Sequence, residues 1–165
     1  MMFFRLIALA LIAFTAACSS LADRSERAPV YFVVRHLHTP EGERDPDLTA
    51  DGQRVAVLLA RRLAPERPAA IYVSNFKRTA QTAAPLAERL GLTPIVYDPA
   101  DTAALVAMAR AGPKPALILG HSNTVPDIIE QLGGPRPAPL VHADFGDLWL
   151  VGGDGSTAGV RIERD

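Results

Sequence analysis

Cysteine is nearly missing from this sequence: Cys18 is the only one among 165 residues. A single thiol excludes an intramolecular disulfide framework and a cysteine-rich zinc ribbon. Lysine is scarce too, with Lys77 and Lys114 set against 15 arginines. Neither sign of charge prevails: 17 basic residues face 18 acidic ones, for a formal net charge of −1. That balance excludes a general polyanion-binding surface, so nucleic acid is not an expected partner. No apolar run exceeds residues 6–17, LIALALIAFTAA. As a helix this run would span about 18 Å, short of the roughly 30 Å hydrocarbon core, which excludes an ordinary transmembrane span. No internal repeat or heptad is present. The length suits one domain with a real core and leaves little room for a second.

Arg5, the apolar run and the small residues Ala16 and Ala17 form the pattern of a secretory signal. Cys18 follows at once, then Ser19 and Ser20. The arrangement resembles the bacterial lipoprotein signal, in which the cysteine becomes the lipidated first residue of the mature chain. Thr15 departs from it, standing where leucine is preferred. The resemblance implies export, a membrane anchor at Cys18 and a periplasmic or membrane-anchored location; the plainer reading is an ordinary cleaved signal. The expected organisation is a signal over 1–17, a polar tether over 18–28 and one domain over 29–165.

From Val30 onward, short apolar runs alternate with helical patterns. VYFVV at 30–34, AIYV at 70–73, PIVY at 94–97 and ALIL at 116–119 read as strands. Helices are expected over 48–63 with Thr49 as N-cap, over 77–90 with Gly91 closing it and Pro85 bending it, over 102–110 and over 123–132. A hairpin should close the chain with strands over 147–151 and 159–163. Repeated strand–helix alternation gives an α/β fold, a mainly parallel sheet with helices on both faces.

In such sheets ligands gather beyond the carboxyl ends of the strands. Three strands deliver polar residues there: RHLHT at 35–39, SNFKRT at 74–79 and GHSN at 120–123. Two arginines and two or three histidines converging in a cleft repel one another unless an anion intervenes. A small phosphorylated compound is the expected partner, because the planar guanidinium donates paired hydrogen bonds to phosphate oxygens.

Three segments in order, VVRHLHT, SNFKRTAQT and LILGHSNTV, carry a resemblance to the histidine phosphatase superfamily, the phosphoglycerate-mutase-like fold. The stretch DPDLTADGQRVA also looks like the family's approach to its first helix. The resemblance spans roughly 30–151. It implies a phosphohydrolase in which His36 takes the phosphoryl group, Arg35 and Arg78 hold its oxygens and His121 donates to one of them. It implies no metal and no other cofactor.

Two positions depart from the family pattern. Leu37 replaces a small residue and either narrows the pocket or enters the core. His38 stands where a glutamate or other polar residue is usual, and is a candidate substrate contact or an exposed loop residue. Ser122 and Asn123 either line the pocket or cap the following helix, whose free N–H groups also favour an anion. For the acid that protonates the leaving oxygen, Asp98 after the third strand is the first candidate. Asp101 and the first-loop residues Glu41, Glu43 and Asp45 follow. His142, Arg44, Arg61 and Arg62 read as surface residues, and Trp149 as strand packing. Two rival readings stay open. One is a zinc hydrolase using His36, His38, His121 and His142. The other is a non-catalytic phosphoester-binding lipoprotein on the same fold.

Overall fold

The computed structural model describes residues 29–162; the signal (1–17), the tether with Cys18, and residues 163–165 lie outside the described residues. Strands β1 (Pro29–Arg35), β2 (Ala70–Ser74), β3 (Ile95–Tyr97), β4 (Ala116–Gly120), β5 (Asp147–Gly152) and β6 (Thr157–Arg161) form one sheet in the order β3-β2-β4-β1-β5-β6. The first four are mutually parallel; β5 runs antiparallel to β1, and β6 to β5. Helices α1 (Ala50–Leu63), α2 (Lys77–Leu90), α3 (Thr102–Ala111) and α4 (Val125–Gln131) make the connections. The single α/β domain with a mainly parallel sheet is as the alternation of elements requires.

Alternation along β1 divides the core. Phe32 and Val34 pack with Val55, Leu59 and Leu86 of α1 and α2. Tyr31 and Val33 point the other way, toward Leu105, Ala109 and Ile128 of α3 and α4. Each fully buried side chain of this size stabilises the fold by about 1.5–3 kcal/mol. Both faces of the central strands are therefore covered, and polar residues are left to the strand ends. Tyr97 ties the rim together there, its hydroxyl donating to the Leu119 carbonyl at 2.8 Å.

The helix ends follow their sequence signals. Thr49 Oγ1 accepts from Gly52 N at 3.1 Å, and Gly91 closes α2 in the left-handed conformation at φ 66°. The helix carries through Pro85 as one 14-residue element. α4 is shorter than its pattern suggests: 122–124 form a turn, and its N-cap, Thr124, makes no side-chain cap bond. Instead Thr124 Oγ1 accepts from His121 N at 2.9 Å, while the N–H groups of Thr124 and Val125 donate to the His121 carbonyl. Of the hairpin strands, β5 starts at Asp147 as expected, and β6 begins and ends two residues earlier than expected, at Thr157 and Arg161. Among the described residues no helix is long and apolar enough to cross a membrane.

Candidate active site

The carboxyl ends of β1, β2 and β4 meet at one cavity of about 500 Å³, lined by Arg35, His36, Arg78 and His121 among others. Arg35, His36 and His121 are each about 95% buried. The three sequence segments are thus brought together as the topology implies.

His36 follows β1 directly, and its backbone N–H still bonds to the Gly120 carbonyl as a continuation of the ladder. Its Nδ1 lies 2.9 Å from the Leu37 carbonyl, an acceptor only, so Nδ1 carries the proton and donates. Nε2 is left with its lone pair available. Burial, opposed by the bond to Leu37 and reinforced by Arg35, His121 and Arg78, holds this imidazole's pKa down at about 3. Leu37 itself enters the core beside α1 and α2, fully buried, so it does not narrow the cavity. Its N–H donates to Thr82 Oγ1 at 3.1 Å.

His121 ends β4 and stands 5.4 Å from His36 between ring centroids. Arg78 Nη2 approaches its Nδ1 at 3.3 Å. A guanidinium only donates, so Nδ1 accepts and Nε2–H donates to Ser74 Oγ at 2.9 Å. Burial, with Arg78 and Arg35 adding to it, keeps this pKa near 4. Both rings are therefore neutral in the empty cavity at neutral pH. Gly120 precedes His121 because the next turn packs on it: a Cβ there would lie 2.9 Å from Val125 Cγ2 and 3.0 Å from Thr124 Oγ1.

The second segment supplies the frame. Thr79 Oγ1 bonds Ser74 Oγ at 3.0 Å and donates to the Phe76 carbonyl at 2.8 Å. Gln81 accepts from Leu48 N and donates to Asp47, anchoring the loop ahead of α1. Arg78 stacks over Phe76 at 4.2 Å, and its Nη1 reaches the Arg44 carbonyl at 3.2 Å and Asp45 at 3.5 Å. Burial lowers its pKa, and Asp45 opposes that.

Arg35 is held from the far side. Its Nη1 donates to the carbonyls of Val141, His142 and Asp144 at 2.7, 3.1 and 3.2 Å. Phe145 lies beneath the guanidinium at 4.1 Å. Burial lowers its pKa, while Asp144 works the other way. Its Nε is buried and has no hydrogen-bond partner among the described residues. An unpaired donor on a buried cation is costly.

Several sequence expectations are corrected. Asp98 does not line the cavity; its Oδ1 accepts from Ala100 N at 2.9 Å in a turn, and Pro99 and Ala100 face the cavity instead. Asp101 is the N-cap of α3, accepting from Ala104 N. Asp45 serves Arg78 and the Lys77 N–H. The carboxylates that do line the cavity are Glu41 and Glu43. His38 turns away, its ring 4.7 Å from Phe145 and its Nε2 3.8 Å from Asp51. Ser122 and Asn123 line the cavity, and neither caps α4. His142 is on the rim rather than incidental, with Nε2 3.8 Å from Glu41 Oε1. Phe76 and Phe145 were not singled out by sequence. The only signal for Phe76 was its place inside the second segment, and Phe145 lies in a loop without pattern.

A metal centre does not form from these residues. Among the described residues no three His, Cys, Asp or Glu side chains converge to hold an ion. His36 and His38, adjacent-but-one in sequence, face different surroundings. The cavity presents instead an imidazole lone pair toward an electrophile, flanked by two cations that stabilise anionic oxygens.

Structural likenesses agree with this architecture. The protein histidine phosphatase SixA, complexed with tungstate, is 18% identical; the match covers 80% of this chain and 96% of that one, with a TM-score of 0.59. A mycobacterial glucosyl-3-phosphoglycerate phosphatase is 18% identical over 74% of this chain and 89% of its own, TM-score 0.60. A protein described as mycobacterial hydrolase 1 is 19% identical over 65% and 82%, TM-score 0.58. No curated protein sequence matches the chain. At these identities the neighbours show the fold. Residues 32–100, which hold the Arg35-His36 pair and the Ser74–Thr82 segment, match the family model of the histidine phosphatase superfamily, branch 1. His121 closes the same cavity from β4, so the third sequence segment joins the two that the histidine phosphatase superfamily model matches over 32–100.

Proposed function

We propose that this protein is a phosphatase that hydrolyses phosphomonoesters, or a phosphohistidine, through a phosphohistidine intermediate on His36. The observation that carries the reading is the meeting of His36, whose Nε2 lone pair is available, with the guanidinium residues Arg35 and Arg78 in one cavity. The lone pair of Nε2 attacks phosphorus, and the bond to the leaving oxygen breaks with its electron pair, the leaving oxygen taking a proton from solvent that the hydrolytic water later returns. Arg35 and Arg78 neutralise the equatorial oxygens as charge shifts toward the leaving group. The proton stays on Nδ1, donated to the Leu37 carbonyl, which fixes the tautomer throughout. A water then attacks phosphorus, the P–N bond returns its pair to Nε2, and inorganic phosphate leaves with the water's oxygen. His121 approaches a phosphoryl oxygen through Nδ1 once protonated. The bound anion favours that by offsetting the neighbouring arginines.

Two structural neighbours are a protein histidine phosphatase and a glucosyl-3-phosphoglycerate phosphatase, which supports phosphoryl transfer without choosing a substrate. Release of phosphate from p-nitrophenyl phosphate by the wild-type domain, reduced to background in His36→Ala, tests the reading. Equal rates in the two proteins, or affinity for phosphate without turnover, support the phosphoester-binding alternative. The location proposed from sequence is the bacterial periplasm, membrane-anchored through lipid at Cys18. Loss of fatty-acid labelling in Cys18→Ser, with export retained, is the expected result.

A further inference from the structure

The charges around the cavity are unevenly assigned. Among the described residues Arg35 and Arg78 are the only arginines lining it, and no lysine does. Both arginines are committed to the phosphoryl oxygens under the reading above. The remaining acidic lining residues, Glu41 and Glu43, stand at the mouth, and the apolar part is made by Phe76, Pro46 and Pro99. Of the nearby basic residues, Lys77 pairs with Asp47 at 3.2 Å, and Arg44, whose backbone carbonyl accepts from Arg78, does not line the cavity. His142 at the rim faces Glu41.

We infer that the substrate is a phosphomonoester whose leaving alcohol carries no second anionic group, an uncharged or amine-bearing alcohol. The inference rests on the phosphatase reading and extends it to substrate class. Arg35 and Arg78 together account for one phosphoryl anion. A carboxylate or second phosphate on the leaving group would meet Glu41 and Glu43, and among the described residues no further Arg or Lys lines the cavity to receive it. An ammonium there is attracted, and a neutral hydroxyl is indifferent.

The test compares kcat/KM of the wild-type domain for phosphoethanolamine, glycerol 3-phosphate and 3-phosphoglycerate, with p-nitrophenyl phosphate as activity control. At low ionic strength phosphoethanolamine should exceed 3-phosphoglycerate by about tenfold, with glycerol 3-phosphate between them. The ratio should shrink as salt screens these exposed charges. In the double variant Glu41→Gln, Glu43→Gln the ratio should fall toward one. The ratio is the reading because loss of a proton donor would slow all three alkyl esters together and leave it unchanged. A 3-phosphoglycerate rate equal to or above the others, or a ratio that the double variant preserves, overturns the substrate class and leaves the phosphatase reading standing. No phosphate release from any of the four esters overturns the phosphatase reading and the inference with it.

Discussion

Arg35 and Phe145 are stacked, guanidinium on ring at 4.1 Å, although 110 positions separate them in sequence. The contact brings the loop after α4 against the end of β1. The same loop turns three carbonyls onto Arg35 Nη1, so one edge of the guanidinium is fixed and Nε is left facing no protein acceptor. Phe145 also touches the rings of His36, His38 and His142. It acts through these neighbours and is a positioning residue.

Phe145→Leu should therefore lower kcat/KM for p-nitrophenyl phosphate by about tenfold, since small misplacements of aligned groups are costly. Phe145→Tyr, which keeps the flat surface, should restore most of it. A packing role alone would make the two variants track their thermal stabilities rather than their ring shapes.

Arg35→Lys keeps the charge and loses the planar fork. An ammonium cannot hold the 141–144 carbonyls and present a second donor toward a phosphoryl oxygen at once. Steady-state assays should show a fall in kcat of about 10²-fold or more, the scale of losing one preorganised donor to developing charge. A loss below threefold would remove Arg35 from the mechanism.

The parts of this site legible in sequence were those carried by strand ends. Arg35, His36, Ser74 and His121 each terminate or follow an apolar run, and parallel topology sends those ends to one rim. Arg78 was legible through its segment, though the bonds that explain that segment, Thr79 to Ser74 and Thr82 to Leu37, are not. Asp98 misled because position after a strand does not fix direction, and its carboxylate closes a local turn. Phe145 and His142 were illegible because loops place side chains by tertiary contact, with no period to read. The short α4 has the same origin, since Thr124 spends its hydroxyl on His121 N.

Leu37→Ala should cost about 3 kcal/mol in urea unfolding, as for other fully buried leucines, and leave KM nearly unchanged. A lowered KM without lost stability would mean that the side chain faces the cavity after all.

Acidification should destabilise the folded domain through both histidines. Their folded pKa values, about 3 and about 4, lie below the ordinary imidazole value of 6.5, so the unfolded chain binds protons first as pH falls. The stabilisation is fully present above 6.5 and is lost on the way down toward 4 and 3, with a slope of order 1 kcal/mol per pH unit for each ring. Urea midpoints between pH 7 and 4.5 should fall less steeply in His121→Gln than in the wild type. Identical slopes would place the titration elsewhere. Inorganic phosphate, by compensating the charge, should raise the wild-type midpoint most at the acidic end.

The central claim is covalent chemistry at His36 Nε2. Rapid-quench reaction with a radiolabelled phosphomonoester, followed by peptide mapping, addresses it directly. The account predicts a base-stable, acid-labile phosphoryl group on His36 that appears at the rate of turnover or faster, and none in His36→Ala. Turnover with no label on His36, or a label that persists in His36→Ala, would contradict it.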